Sequence, residues 1–256
     1  MDVKRRDFLR IAGLGAGLGI GGQAVWEVVK GDDVLASTHR EKTEGKRWAM
    51  VVETAKCRAH DCTDCITICH KIHNVPHFDD PKREVKWIWR QGFEGAFPDQ
   101  FNEFLDEDIT GGSVPLMCNH CDNPGCVKVC PTGATFKRED GIVVIDMHRC
   151  IGCRYCMAGC PYGSRSFNWQ DPRKGLDRID PEYPTRTKGV VEKCTFCSER
   201  LAVGKLPACV EACPYKALTF GDLADKGSDV RKALKGVYAI RRKQSLGLGP
   251  SIFYIV

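Results

Sequence analysis

Short runs of apolar, β-prone residues alternate with polar, proline- and glycine-rich stretches along most of this chain. Five of these runs predict strands, and they are Arg47–Glu53, Thr135–Arg138, Ile142–Asp146, Ala217–Phe220 and Ile252–Val256. Glu139-Asp140-Gly141 separates the second and third runs, and Asp-Gly between β-prone runs predicts a hairpin. Residues 170–188 are rich in Pro, Asp, Arg and Lys and are interpreted as a polar loop.

Two further segments add aromatic and basic residues to this pattern. Phe97, Phe101 and Phe104 have helical spacing within residues 70–113, a stretch without cysteine. We interpret this stretch as a packed, covering insert, with a partner-docking surface as the alternative.

The last predicted strand, Ile252–Val256, follows the basic turn Arg241–Lys243. We interpret it as a short closing strand, with a membrane-touching tail as the alternative.

Residues 1–36 have the pattern of a targeting segment. A twin arginine, Arg5-Arg6, precedes Phe8-Leu9, and a weakly apolar, glycine-rich run follows from Ile11 to Val29. This pattern predicts a Tat signal; the alternative, a short amphipathic helix, is disfavoured by the glycines. The signal is either cleaved or kept as an N-terminal anchor. No later stretch approaches the roughly 20 apolar residues of a membrane span.

Cysteine dominates the candidate chemistry, because the chain has 16 among 256 residues. They fall into four runs with none left over: Cys57, Cys62, Cys65 and Cys69; Cys118, Cys121, Cys126 and Cys130; Cys150, Cys153, Cys156 and Cys160; Cys194, Cys197, Cys209 and Cys213. The third run is C-x2-C-x2-C-x3-C-P, a bacterial ferredoxin pattern. The second and fourth runs are the same pattern with one longer gap, whereas the first has a wider Cys57–Cys62 gap and no following proline.

This spacing favours iron–sulfur clusters over the other uses of cysteine. A cubane cluster takes three thiolates from one tight loop and a fourth from elsewhere. Disulfides would need strained local bridges, zinc favours paired C-x2-C knuckles, and haem c needs C-x-x-C-H. His60 lies within the first run and is a weaker candidate ligand, since histidine serves in some iron–sulfur centres.

Charge does not indicate nucleic-acid binding once the clusters are counted. The formal net charge is +5 with neutral cysteines. Each [4Fe–4S]²⁺ core with four thiolates carries −2, so four of them bring the protein to about −3. The sequence also offers no nucleophile–base pair, which favours an electron carrier over an enzyme.

Residues 115–168 and 189–223 resemble a known family. The matching segments are CNHCDNPGCVKVCPTGAT, CIGCRYCMAGCPYGSR and KCTFCSERLAVGKLPACVEACPYKAL. They are similar to the four-cluster iron–sulfur subunits of the DMSO reductase, polysulfide reductase and NrfC-type nitrite reductase systems. With its Tat signal and tryptophan-containing insert, the chain looks most like the periplasmic iron–sulfur subunit of the Dsr membrane complex (DsrO type).

The resemblance implies four [4Fe–4S] clusters with crossed ligation. The implied ligand sets are Cys57, Cys62, Cys65 and Cys213; Cys194, Cys197, Cys209 and Cys69; Cys118, Cys121, Cys126 and Cys160; Cys150, Cys153, Cys156 and Cys130. The implied fold is α+β, with two ferredoxin-like double-cluster modules, one inserted in the other. Residues 37–113 and 190–256 form the outer module, including the insert, and residues 114–189 form the inner one.

The resemblance also implies a function and a place in the cell. The expected function is electron transfer between a quinone-reactive membrane subunit of the NrfD type and a periplasmic partner, a cytochrome c or another redox subunit. The protein is expected at the periplasmic face of the cytoplasmic membrane, peripheral or N-terminally anchored. The alternatives are the iron–sulfur subunit of a molybdopterin oxidoreductase and a free multi-cluster ferredoxin.

Overall fold

The structure, a computed structural model, describes residues 45–256, so the predicted Tat signal lies outside the described residues. The strands are β1 Trp48–Glu53, β2 Ile88–Gly92, β3 Ser113–Met117, β4 Thr135–Lys137, β5 Val143–Ile145, β6 Ser166–Phe167, β7 Val191–Glu192, β8 Leu218–Asp222, β9 Ala239–Ile240 and β10 Ile252–Ile255. The helices are α1 Thr54–His60, α2 Asp64–Ile72, α3 Phe93–Ala96, α4 Glu107–Thr110, α5 Gly125–Lys128, α6 Tyr155–Ala158, α7 Ser198–Ala202, α8 Ala208–Glu211 and α9 Asp229–Ala233. The fold is therefore mixed α and β, with short elements joined by cysteine-bearing loops.

The largest sheet has four strands in the order β8-β1-β10-β9. Strand β1 runs antiparallel to β8, with Met50 opposite Phe220, and parallel to β10, with Met50 opposite Ile252. The predicted strands at these three places are confirmed. Ile252 and Tyr254 are fully buried, so the closing strand belongs to the core and does not form a membrane-touching tail.

The predicted hairpin is also confirmed. Strands β4 and β5 pair antiparallel, with Thr135 opposite Ile145. The Gly141 backbone adopts φ +85, which a glycine adopts without the steric cost that a side chain would bring. The polar stretch 170–188 contains one 3₁₀ turn, Pro172–Gly175, and otherwise forms turns and irregular backbone, as predicted.

The insert is packed, but the helical spacing of its phenylalanines does not correspond to a helix. Helix α3 ends at Ala96, before the Phe97–Phe104 series. Pro98 follows Phe97, and a proline disfavours helical backbone at the residue before it. Phe97 is buried against the ring of Tyr254 with centroids 4.9 Å apart, whereas Phe101 and Phe104 are exposed.

The main hydrophobic core contains thiols beside ordinary apolar side chains. Met50, Trp87 and Leu116 pack in the same cluster as six cysteines, namely Cys57, Cys65, Cys69, Cys118, Cys194 and Cys209. The first and fourth cysteine runs therefore contribute most of the thiols in this core. Across residues 45–256, no helix has both the length and the apolar character that a membrane span requires.

Candidate iron–sulfur centres

The four cysteine loops share one backbone turn. In each run the residue just before the second cysteine has a left-handed conformation: Asp61 (φ 43), His120 (φ 40), Gly152 (φ 71) and Phe196 (φ 55). Positive φ is uncommon outside glycine, so its recurrence at the same place indicates a repeated local structure. The wider Cys57–Cys62 gap is accommodated as helix α1 and still ends in this turn.

A second repeated turn follows the last cysteine of three runs. Cys130, Cys160 and Cys213 each precede a proline, and the third residue after each of them has positive φ: Gly133, Gly163 and Lys216. The proline cannot donate a backbone N–H and fixes φ, so the chain turns away from the loop. Cys69 has His70 in place of proline, and helix α2 continues past it to Ile72.

The fold groups the sixteen thiols into four sets, and each set draws on two runs. Cys57, Cys62, Cys65 and Cys213 line one cavity, and we name these residues set A. Cys69 neighbours Cys194, Cys197 and Cys209, and these four form set B. Cys121 neighbours Cys118, Cys126 and Cys160, and these four form set C. Cys130, Cys150, Cys153 and Cys156 line a second cavity and form set D.

The sets follow one another in the order A, B, C, D. Cys65 of set A lies close enough to Cys69 and Cys209 of set B to influence their pKa values. Cys118 of set C does the same to Cys194 of set B. Arg165 joins sets C and D, because its charge interacts with Cys126 of one and Cys156 of the other. All four thiols of set B are buried, whereas three of the four in set D are partly exposed.

The electrostatics of the sets suit a cationic metal core. Burial, followed by repulsion from neighbouring thiols, raises the pKa of Cys57 to about 12 and that of Cys65 to about 11. None of the sixteen thiols forms a disulfide. Four clustered thiolates are stable only with positive charge among them, and a bound metal supplies it while displacing the protons. The residues therefore fit an iron–sulfur cluster in each set.

Hydrogen bonds to the sulfurs add to this fit. Backbone N–H groups donate to sulfur from Phe196 to Cys194 at 3.4 Å and from Ala217 to Cys213 at 3.3 Å. Thr135, the first residue of β4, donates to Cys130 at 3.4 Å. Such bonds stabilise the charge on cluster sulfurs and are among the factors that set reduction potentials.

The weaker candidate ligand, His60, is not among the residues that line the cavity of set A, although Tyr215 is. His60 is exposed, and its ring stacks on Tyr215 with centroids 3.6 Å apart. A different histidine, His73, lies beside set B: its Nδ1 lies 3.6 Å from Cys69 Sγ, and its Nε2 lies 2.8 Å from a Glu199 carboxylate oxygen. The imidazole of His73, the carboxylate of Glu199 and the thiol of Cys197 therefore lie close together at set B, and each can bind a metal.

Three buried cations near the sets escaped the sequence analysis. Arg165, Lys193 and Arg242 are each at most 5% exposed. Lys193 immediately precedes Cys194, and Arg165 follows the Cys160-Pro161 turn. Their closeness to the cysteine runs in the sequence was the one feature that could have indicated that they lie near the sets. Lysine and arginine are rarely buried, and the sequence alone gave no reason to expect them in the core.

Comparison with known proteins supports the same chemistry. Residues 110–175 and 180–223 match the family described as a 4Fe-4S dicluster domain. The chain is 39% identical over 276 residues to the Hdr-like menaquinol oxidoreductase iron–sulfur subunit 1 of Archaeoglobus fulgidus, covering 98% of this chain and 97% of that protein. This chain belongs to the NrfC and polysulfide reductase family of iron–sulfur subunits.

Two other members of this family are similar over most of their length. Protein NrfC of Escherichia coli is 35% identical over 257 residues, covering 100% of this chain and 96% of that protein. The arsenate respiratory reductase iron–sulfur subunit of a Shewanella species is 35% identical over 241 residues, covering 82% and 96%. As a member of the NrfC family, the protein is an electron-transfer subunit of an oxidoreductase complex and not the catalytic component.

Proposed function

We propose that the protein carries four [4Fe–4S] clusters, one in each of sets A to D, and conducts electrons along them. The observation that carries this proposal is the grouping of sixteen thiols into four sets of four. Each set takes three cysteines from one run and the fourth from another run. Crossed ligation of this kind is the arrangement of two-cluster ferredoxins.

Two nested modules follow from the same grouping. The four-stranded sheet combines β1 with β8, β9 and β10, which come from opposite ends of the described chain. Sets A and B use only cysteines of these outer segments, residues 37–113 and 190–256. Sets C and D use only cysteines of residues 114–189. We therefore assign one ferredoxin-like module to each pair of sets, with the inner module inserted in the outer.

Metal analysis tests the cluster count. Anaerobically purified protein is expected to carry about 16 iron atoms per chain, because four cubanes require that number. Stoichiometric zinc, or iron near half that value, would refute the four-cluster proposal.

For the partners, we propose a quinone-reactive membrane subunit of the NrfD type on one side and a periplasmic cytochrome c or other redox subunit on the other. The printed name of the Archaeoglobus relative, a menaquinol oxidoreductase subunit, supports a quinone-linked complex. The Dsr-type respiratory complex is the specific assembly we propose. The inner module then faces the membrane subunit, since exposed apolar side chains surround set D, among them Ile151, Tyr155 and Trp169.

We place the complex at the periplasmic face of the cytoplasmic membrane. The twin arginine Arg5-Arg6 supports Tat export, which carries folded, cluster-loaded protein. Replacing both arginines by lysine is expected to leave the protein in the cytoplasm, and normal export of that variant would contradict the placement.

An alternative partner is a molybdopterin oxidoreductase, and the similarity to the arsenate respiratory reductase subunit favours it. A free multi-cluster ferredoxin is the third candidate. Purification from detergent-solubilised membranes, followed by mass spectrometry, separates the three. An NrfD-type subunit without a molybdopterin subunit supports our proposal. A molybdopterin subunit supports the alternative, and a stable monomer would indicate the free ferredoxin.

A further inference from the structure

Two cations are buried at the junctions between cysteine sets. Lys193 is 0% exposed and Arg165 is 5% exposed. Burying a charge without an opposite charge is energetically costly, so long cationic side chains in a core need a compensating partner. The identity of that partner bears directly on how the clusters work.

Lys193 lies between sets B and C. Its ammonium donates to the carbonyl of Cys194 at 2.7 Å and to the carbonyl of Val143. Burial raises the pKa of Cys194, in set B, and of Cys126, in set C, and the charge of Lys193 opposes the rise at both. The ammonium therefore acts on one ligand of each set.

Arg165 lies between sets C and D. Its guanidinium donates from Nη2 to Cys126 Sγ at 3.1 Å and from Nη1 to the Thr135 hydroxyl at 3.2 Å. Burial lowers its pKa, but the thiols of Cys126, Cys156 and Cys118 and the hydrogen bond to Cys126 together raise it by more, so the net direction is upward. Cys126 of set C thus accepts a hydrogen bond from Arg165 and is also influenced by the charge of Lys193.

Neither cation forms a salt bridge to a carboxylate within residues 45–256; their acceptors are carbonyl, hydroxyl and thiol groups. Arg186 offers a contrast, because it is equally buried but is paired with the carboxylate of Glu192. The remaining negative charge beside Lys193 and Arg165 is that of the cluster thiolates. That these thiols carry negative charge rests on the proposed function, in which they bind clusters.

We propose that Lys193 and Arg165 are redox-tuning residues that raise the reduction potential of the cluster in set C. A cluster gains one negative charge when it is reduced, and a nearby cation in a poorly solvated site stabilises that charge. The clusters in sets B and D each adjoin one of the two cations, whereas the cluster in set C adjoins both. The cluster in set C therefore holds an electron more readily than it would without this pair.

A redox titration followed by electron paramagnetic resonance tests the proposal. Purified full-length protein is compared with Lys193→Met, Arg165→Met and the charge-retaining Arg165→Lys. At the wild-type midpoint potential, each Met variant is expected to lower the reduced-to-oxidised ratio of its adjoining clusters by tenfold or more. For a one-electron couple, tenfold corresponds to about 59 mV. One of the four signals should shift in both Met variants, and that signal belongs to set C.

Controls separate tuning from structural damage. Lys188→Met removes the same charge from an exposed site five residues before Lys193 and should leave all four signals unchanged. Lys193→Gln, which keeps an N–H donor, replaces Lys193→Met if the latter loses iron. Arg165→Lys should stay near the wild-type values. Unchanged potentials in iron-replete variants, or shifts that share no signal, would overturn the proposal; wild-type protein lacking 16 iron would instead contradict the four-cluster function.

Discussion

At the scale of single residues, the last cysteine of each run lies in a different set from the three cysteines that precede it. Cys130 closes the second run, yet it lies with Cys150, Cys153 and Cys156 in set D. A Cys-Pro turn follows this cysteine and the last cysteines of two other runs, and it directs the chain away from the loop. Cys69 is exchanged as well, although it precedes His70 inside a helix. The first three cysteines of each run remain together.

Exchange of the fourth ligand gives a prediction at this scale. Cys130→Ser is expected to damage the cluster in set D and to spare the one in set C. Its spectrum should therefore lose the same signal as Cys156→Ser, and each variant should lose up to a quarter of the iron. Iron analysis and electron paramagnetic resonance measure both effects. Cys126→Ser, from the same run as Cys130, is the matched control and should remove the signal of set C.

Sequence alone identified the thiols but not the side chains around them. The number and spacing of the cysteines predict iron–sulfur chemistry because no other use accounts for all sixteen. Lys193 and Arg165 could not be placed in this way, since a lysine or arginine in a sequence is usually a surface residue. Only the fold shows that they are buried beside the sets, and the same holds for His73 next to Cys69.

At the scale of elements, the recurring left-handed turn shapes each loop. Gly152 shows what the turn requires in set D: its φ is +71, and an added Cβ would lie 2.3 Å from the carbonyl oxygen of Gly189. That contact joins the third loop to the segment that leads into β7. Gly163 has a similar φ of +65 but no atom within 4 Å of an added Cβ.

These two glycines form a matched pair for a stability prediction. Left-handed backbone costs a side-chain-bearing residue roughly 1–2 kcal/mol, so both Gly152→Ala and Gly163→Ala are expected to destabilise the protein. Gly152→Ala should cost clearly more, because the Gly189 backbone must also move. The temperature at which the iron–sulfur absorbance is lost measures the difference. Equal shifts would mean that the close approach to Gly189 contributes nothing.

Elements also show where sequence patterns stop being informative. The strand runs and the Asp-Gly hairpin are local signals, and the structure contains them where they were predicted. The parallel pairing of β1 with β10 joins residues about 200 positions apart, and no local pattern encodes it. The helical spacing of Phe97, Phe101 and Phe104 does not produce a helix, because Pro98 disfavours helical backbone at Phe97.

At the scale of the whole molecule, the order of the sets gives the protein two ends. The thiols of set B are all buried, set A lies under the outer sheet and insert, and sets C and D each have three partly exposed thiols. Ile151 and Tyr155, both more than 60% exposed, lie in the loop and helix of set D. An electron entering or leaving at this end passes through a surface rich in exposed apolar side chains, which favours a protein interface.

This asymmetry leads to a prediction about docking. A photo-reactive phenylalanine at Tyr155 is expected to cross-link to the polytopic membrane subunit in native membranes, because set D is proposed to lie at that interface. The same substitution at Tyr238, which is 74% exposed in the outer segment, is the matched control and should give no such product. A specific interface buries roughly 1,200–2,000 Å² in total, large enough to include Tyr155 together with Ile151. Mass spectrometry of the cross-linked products determines the orientation. Cross-links to the membrane subunit from position 238 and none from position 155 would place the outer module against the membrane partner. The path proposed for the electrons would then be reversed.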